Sequence, residues 1–181
     1  MARLGQPAPL LARAERPRLR FRAINRRGDP DFLPGMQRHH LLPRQLLSAR
    51  CFGRLFDRLG RDTVGFDDFR RNGLLLPCTE RAALRAGLPL HRGPHREYTG
   101  LVFERVGRIE GDWAARRRSE PDRARDEALM RLALLQRALR QRLLADARRL
   151  RLNRGDPLGA GRDFAELDAM AELLWRGTEK S

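Results

Sequence analysis

The chain has 181 residues, enough to bury a core of its own, and carries a formal net charge of +15 with a pI near 11.6. Two isolated cysteines, Cys51 and Cys78, exclude a four-cysteine zinc site and argue against a disulfide framework, and no apolar run approaches the length of a membrane span. Lys180 is the sole lysine among 38 basic residues, so arginine carries the charge, and a nucleic acid, another polyanion or an acidic partner is the expected counterpart. In chain order, residues 1–31 mix Pro, Gly and Arg with little period and read as a flexible basic arm. Phe32 to Leu42 reads as a loop and a short strand closed by Pro43, which can open a helix at its first position. Leu46, Leu47, Phe52, Leu55, Phe56 and Leu59 then form an apolar stripe at helical spacing that stops at Gly60.

Thr63 to Phe69 reads as short and extended, with Asn72-Gly73 as a type I′ turn into the apolar run Leu74-Leu75-Leu76. Thr79 caps a short helix through Ala86, with Gly87 as its stop. Pro94 is placed to begin a longer helix carrying Tyr98, Val102, Phe103, Val106 and Ile109. Ser119-Glu120-Pro121-Asp122 is a further start signal, followed by Leu129, Leu132, Leu135, Leu139, Leu143, Ala147 and Leu150 at steps of three and four, with arginines on the other faces. Asn153 to Pro157 reads as a loop, and Asp163 with Glu166 as the start of a last helix that ends at Gly177.

All four histidines fall in two clusters, His39-His40 and His91-Arg92-Gly93-Pro94-His95, with Asn72 between them. On these elements the first pair lies on a strand and the second straddles a helix start, an arrangement that can aim side chains at one divalent cation. Neighbouring strand residues point to opposite faces, so one of His39 and His40 is a candidate ligand and the other is free to act as a general base near neutral pH. Taken singly, each signal has a plainer reading: an Asn-Gly is usually a turn, and two His one helical turn apart are common on surfaces. The order and spacing of all of them together favour a metal-dependent phosphodiesterase. Asp57, Asp62, Asp67 and Asp68 could add a carboxylate ligand, and solvated loop acids are the plainer account of them.

The blocks His39-His40-Leu41-Leu42-Pro43, Asn72-Gly73-Leu74-Leu75-Leu76-Pro77 and Leu90-His91-Arg92-Gly93-Pro94-His95-Arg96-Glu97-Tyr98 resemble the AHH family of nucleases in the HNH/endonuclease VII (ββα-metal, His-Me finger) superfamily. The resemblance covers roughly residues 34–110. One departure is visible: Arg38 stands where the family name implies alanine. The resemblance implies His39 as a metal ligand, His40 as general base, and Asn72 as a brace for the hairpin or the base that could also touch the metal. His95, with His91 as companion, completes the metal site. Tyr98, one turn later, is expected to be packing. Products would carry 5′-phosphate and 3′-hydroxyl ends.

These readings combine into a helix-rich α+β fold: a basic arm over 1–31, a ββα-metal nuclease core over 32–118 and an Arg-rich helical extension over 119–181. The expected activity is metal-dependent endonucleolytic hydrolysis, with one divalent ion (Mg, Mn, Zn or Ni) and DNA favoured over RNA as substrate. Arginines would bind the backbone with affinity that falls steeply with salt. An acidic immunity-type protein is a further candidate partner. A cytoplasmic protein without a membrane span is expected, with a delivered effector as the other possibility. The alternative function is an inactive nucleic-acid- or partner-binding protein that keeps the nuclease fold.

Overall fold

The computed structural model describes residues 17–48, 50–145, 150, 152 and 156–158. Most of the segment read as an arm before residue 17, and the helix expected after Asp163, lie outside the described residues. Among the described residues, two antiparallel strands and six α-helices make a small helix-rich α+β fold, as the patterning predicts. Strand β1 (Met36–His40) pairs with β2 (Gly73–Pro77) so that His39 stands opposite Leu74 and His40 opposite Gly73. Between the strands run a 3-10 turn (Arg44–Leu47) and three short helices, α1 (Gly53–Leu59), α2 (Arg61–Val64) and α3 (Phe69–Asn72).

That crossover corrects three local expectations. The stripe from Leu46 to Leu59 is not one helix: Ser48 is extended (φ −67°, ψ 145°) and separates the 3-10 turn from α1. Thr63 to Phe69 is not extended, because Gly60 and Gly65, both at positive φ, bound the single turn α2. Asn72-Gly73 is not a type I′ turn. Asn72 ends α3 and Gly73 is extended with φ −115°. Glycine is required there by close approach, since a Cβ would sit 2.2 Å from the Phe69 ring.

After β2, α4 (Glu80–Ala86) is capped by Thr79, whose hydroxyl accepts the Ala82 N–H at 3.2 Å, and stops at left-handed Gly87. Helix α5 (Arg96–Arg116) starts two residues after Pro94, because His95 takes the N-cap position. Helix α6 (Pro121–Leu144) opens with Pro121 in its first turn, where a missing N–H costs nothing. Helices α5 and α6 lie against each other. One continuous apolar core runs from Leu41 and Leu42 through Phe56, Val102 and Trp113 to Leu132, Leu139 and Leu152. It therefore includes side chains on both sides of the turn between α5 and α6. Residues 17–31 are joined to this body by the Arg20–Asp68 bridge and the buried Phe21. Among the described residues, no helix is long and apolar enough to cross a membrane.

Candidate metal centre

The sheet alternation separates the two adjacent histidines as the strand period requires. His39 is 4% exposed and faces inward, edge-on to Tyr98 at 5.0 Å between ring centroids, while His40 is half-buried on the opposite side. His91, in the loop after α4, and His95, at the N-cap of α5, bring their rings to 5.0 and 5.7 Å from that of His39. One ring nitrogen from each of His39, His91 and His95 lies within 4.8 Å of the other two. No carboxylate joins this trio among the described residues. Asp57 and Asp62 instead pair with Arg61 and Arg18, and Asp68 caps α3.

Hydrogen bonding fixes which nitrogens are free. The Leu152 carbonyl can only accept, so His95 donates through Nδ1 at 3.1 Å and keeps its lone pair on Nε2. His91 Nδ1 meets Gln37 Oε1 at 3.1 Å, leaving its Nε2 free in the same way. His39 Nε2 is buried with no hydrogen-bond partner among the described residues. A buried, orphaned imidazole nitrogen is costly unless something outside the chain completes it.

Electrostatics keep the rings neutral. Burial pushes the His39 pKa well below its ordinary value, with further lowering from His91, His95 and His40. His91 is lowered to about 4, by burial first and then by His95 and His40. Burial also lowers His95, against the opposing pull of the Leu152 carbonyl. Three neutral, convergent imidazoles, two of them with a hydrogen-bonded outer nitrogen, are a donor set that fits a borderline divalent cation.

His40 has a different setting. It stacks flat on Phe21, 3.8 Å between centroids and 1° between planes, and Phe21 in turn meets Phe69 edge-on at 5.2 Å. Arg38, on the same face of β1, donates to the Phe21 carbonyl at 3.0 Å. Burial, and next the Arg44 guanidinium, lower the His40 pKa to about 4, with Asp67 acting in the opposite sense.

Asn72 is fully buried, and its four polar valences are all used. Oδ1 accepts from Leu42 N at 2.7 Å and Gln136 Nε2 at 3.3 Å, while Nδ2 donates to Leu42 O at 3.3 Å and Phe66 O at 3.2 Å. Its backbone carbonyl accepts the Leu41 N–H at 2.8 Å. The residue thus holds the chain where it leaves β1, immediately after the two histidines. Tyr98 is packing, with its hydroxyl donating to Leu41 O at 2.7 Å from a fully buried position that raises its pKa.

The structure brings together His39, His91 and His95, sets His40 apart from them, and leaves Asn72 no free valence toward a metal. Sequence reasoning missed Gln37, Phe21 and Gln136. Gln37 had a signal, since a residue two before His39 shares its strand face. Phe21 and Gln136 had none, being brought in by tertiary packing alone.

The AHH family model, described as a nuclease family of the HNH/ENDO VII superfamily with conserved AHH, matches residues 21–139. The chain therefore belongs to the AHH family of nucleases. Nucleases of this superfamily use a divalent metal. No curated protein and no solved structure matches the chain.

Proposed function

We propose that the protein is a metal-dependent endonuclease that hydrolyses phosphodiester bonds, DNA in preference to RNA, leaving 5′-phosphate and 3′-hydroxyl ends. The observation that carries this reading is the split of four histidines into a convergent trio and one ring held apart on the other face of β1. His39, His91 and His95 would hold the cation through their free nitrogens. A divalent cation bound there supplies Lewis acidity to the phosphate and to the departing oxygen.

The rest is done by the chain. His40 takes a proton from the attacking water, a contribution of roughly 10²–10⁴ in rate. At pH 7 its imidazole is already the neutral, proton-accepting form. A bound phosphodiester is an anion, and its charge near His40 raises the basicity that Arg44 and burial depress. Stacking on Phe21 fixes the ring plane, and Asn72 fixes the backbone that carries it. The +15 net charge draws the polyanion to the surface and makes binding salt-dependent.

The test is nicking of supercoiled plasmid by wild type and His40→Ala, with magnesium, manganese, zinc or nickel and with chelator. Metal-dependent nicking that disappears in the folded variant is the expected result. A folded wild type that cuts neither DNA nor RNA with any of these metals would sink the catalytic reading and leave a nucleic-acid-binding protein.

A further inference from the structure

We propose that two residues beyond α6 support the metal centre, with Asp156 and the Leu152 carbonyl as positioning groups for the ligand loop. The inference rests on the metal-binding half of the reading above. It concerns residues that lie past the family match, which ends at residue 139.

Leu150 and Leu152 are both buried, 4% and 3% exposed, in the same core as α5 and α6. The Leu150 N–H donates to the Arg142 carbonyl at 3.2 Å, which ties Leu150 to the last turn of α6. From there two bonds reach the ligand loop at its two ends. The Leu152 carbonyl accepts His95 Nδ1–H at 3.1 Å, and Asp156 Oδ2 accepts the Leu90 N–H, one residue before His91, at 3.1 Å. The other carboxylate oxygen accepts the Leu158 N–H at 3.1 Å. Asp156 is only 8% exposed, so its carboxylate is removed from water for these two backbone bonds.

A buried charge in that position has a physical purpose that an amide would not serve. Carboxylates are expensive to desolvate, and two N–H bonds could equally be accepted by neutral groups. The trio of ligands is neutral, so a divalent cation would place two uncompensated positive charges inside a chain already at +15. Asp156 is a negative charge fixed directly to the loop that carries two of the three ligands. The Leu152 carbonyl does the complementary work, holding His95 in the Nδ1–H tautomer that aims Nε2 inward. The two groups together make metal affinity depend on a segment outside the nuclease motif.

The experiment uses full-length wild type, Asp156→Ala and Asp156→Asn. Zinc and nickel affinity would be measured by chelator competition, melting would be followed without metal, and the His95 tautomer read from nitrogen-15 spectra. Expected is a loss of metal affinity of about 10–100-fold in Asp156→Ala and a smaller loss in Asp156→Asn, which keeps an acceptor but not the charge. Metal-free melting should fall in Asp156→Ala, where the buried Leu90 N–H loses its acceptor, and less in Asp156→Asn. The affinity loss should be seen at temperatures where both variants are still folded, and His95 should lose its single tautomer in the alanine variant. Wild-type affinity in Asp156→Ala overturns the proposal, as does a loss confined to conditions where the metal-free variant is already unfolding. Should the alanine variant not fold, Asp156→Asn decides in the same two directions. A wild type that binds metal but cuts no nucleic acid would end the nuclease reading while leaving this one intact. A wild type that binds no metal overturns both.

Discussion

The two faces of β1 receive the same side chain at consecutive positions and give it opposite settings. On the inner face His39 is buried, edge-on to three other rings, with a nitrogen that nothing among the described residues satisfies. On the outer face His40 is half-open, stacked flat on one aromatic ring, with an arginine and an aspartate acting on it from outside. On the proposed reading, burial and convergence suit His39 to be a ligand, whereas partial exposure beside a cationic side chain suits His40 to accept a proton near a polyanion. The imidazole is identical, and the pleat sorts the two settings and with them the two proposed roles.

Removing one face at a time tests that contrast. His39→Ala should have the largest effect, abolishing both nicking and tight metal binding, with an affinity loss beyond the roughly 10–100-fold that a supporting residue costs. Chelator competition and plasmid nicking on the same preparation check it. His40→Ala should lower nicking by about 10²–10⁴ and leave metal affinity at the wild-type value. Equal loss of metal binding in the two variants would abolish the distinction between the faces.

Asn72→Ala sharpens the comparison by loosening the segment that follows both faces. It leaves the buried Leu42 N–H and the Gln136 amide without their acceptor, so unfolding free energy should drop by at least about 2 kcal/mol, seen in denaturant melts. The smallest effect expected is from pH. All four histidines are lowered in the folded state, so above about pH 6.5 they are neutral folded and unfolded alike, and stability is at its full value. As pH falls from about 6.5 towards 4, the unfolded chain binds more protons than the folded one, and stability falls. Melting temperature against pH should show that decline in wild type and a shallower one in His40→Ala. Bound zinc or nickel should steepen it, because metal and protons compete for the same nitrogens.

Much of the geometry of the candidate site could be read from the residues because its signals are local. Two adjacent histidines in a strand must diverge, and the ends of α4 and the start of α6 carry their own stop and start residues. The Asn72-Gly73 turn misled for a physical reason. The pair satisfies the local rule for a hairpin, but the glycine is there to clear the Phe69 ring and the asparagine to fill its valences in the core. Tertiary packing overrode a turn preference that costs little to ignore. Leu152 was not readable because it acts through a backbone carbonyl, 57 residues from the imidazole that it orients. Every residue has such a carbonyl, and no side-chain pattern marks the one that matters.

The long crossover between the strands also governs when the centre comes into being. His91 and His95 are near neighbours in the chain, but His39 reaches them only after the β1–β2 ladder has closed over α1, α2 and α3. Contacts of such high order are slow, since the loop's entropy is lost before the pairing is gained. A chain emerging from synthesis, or partly unfolded, therefore holds every candidate ligand and lacks the geometry. On the proposed reading, cleavage requires this long-range pairing, and a chain in which it has not formed should be harmless to the nucleic acid around it.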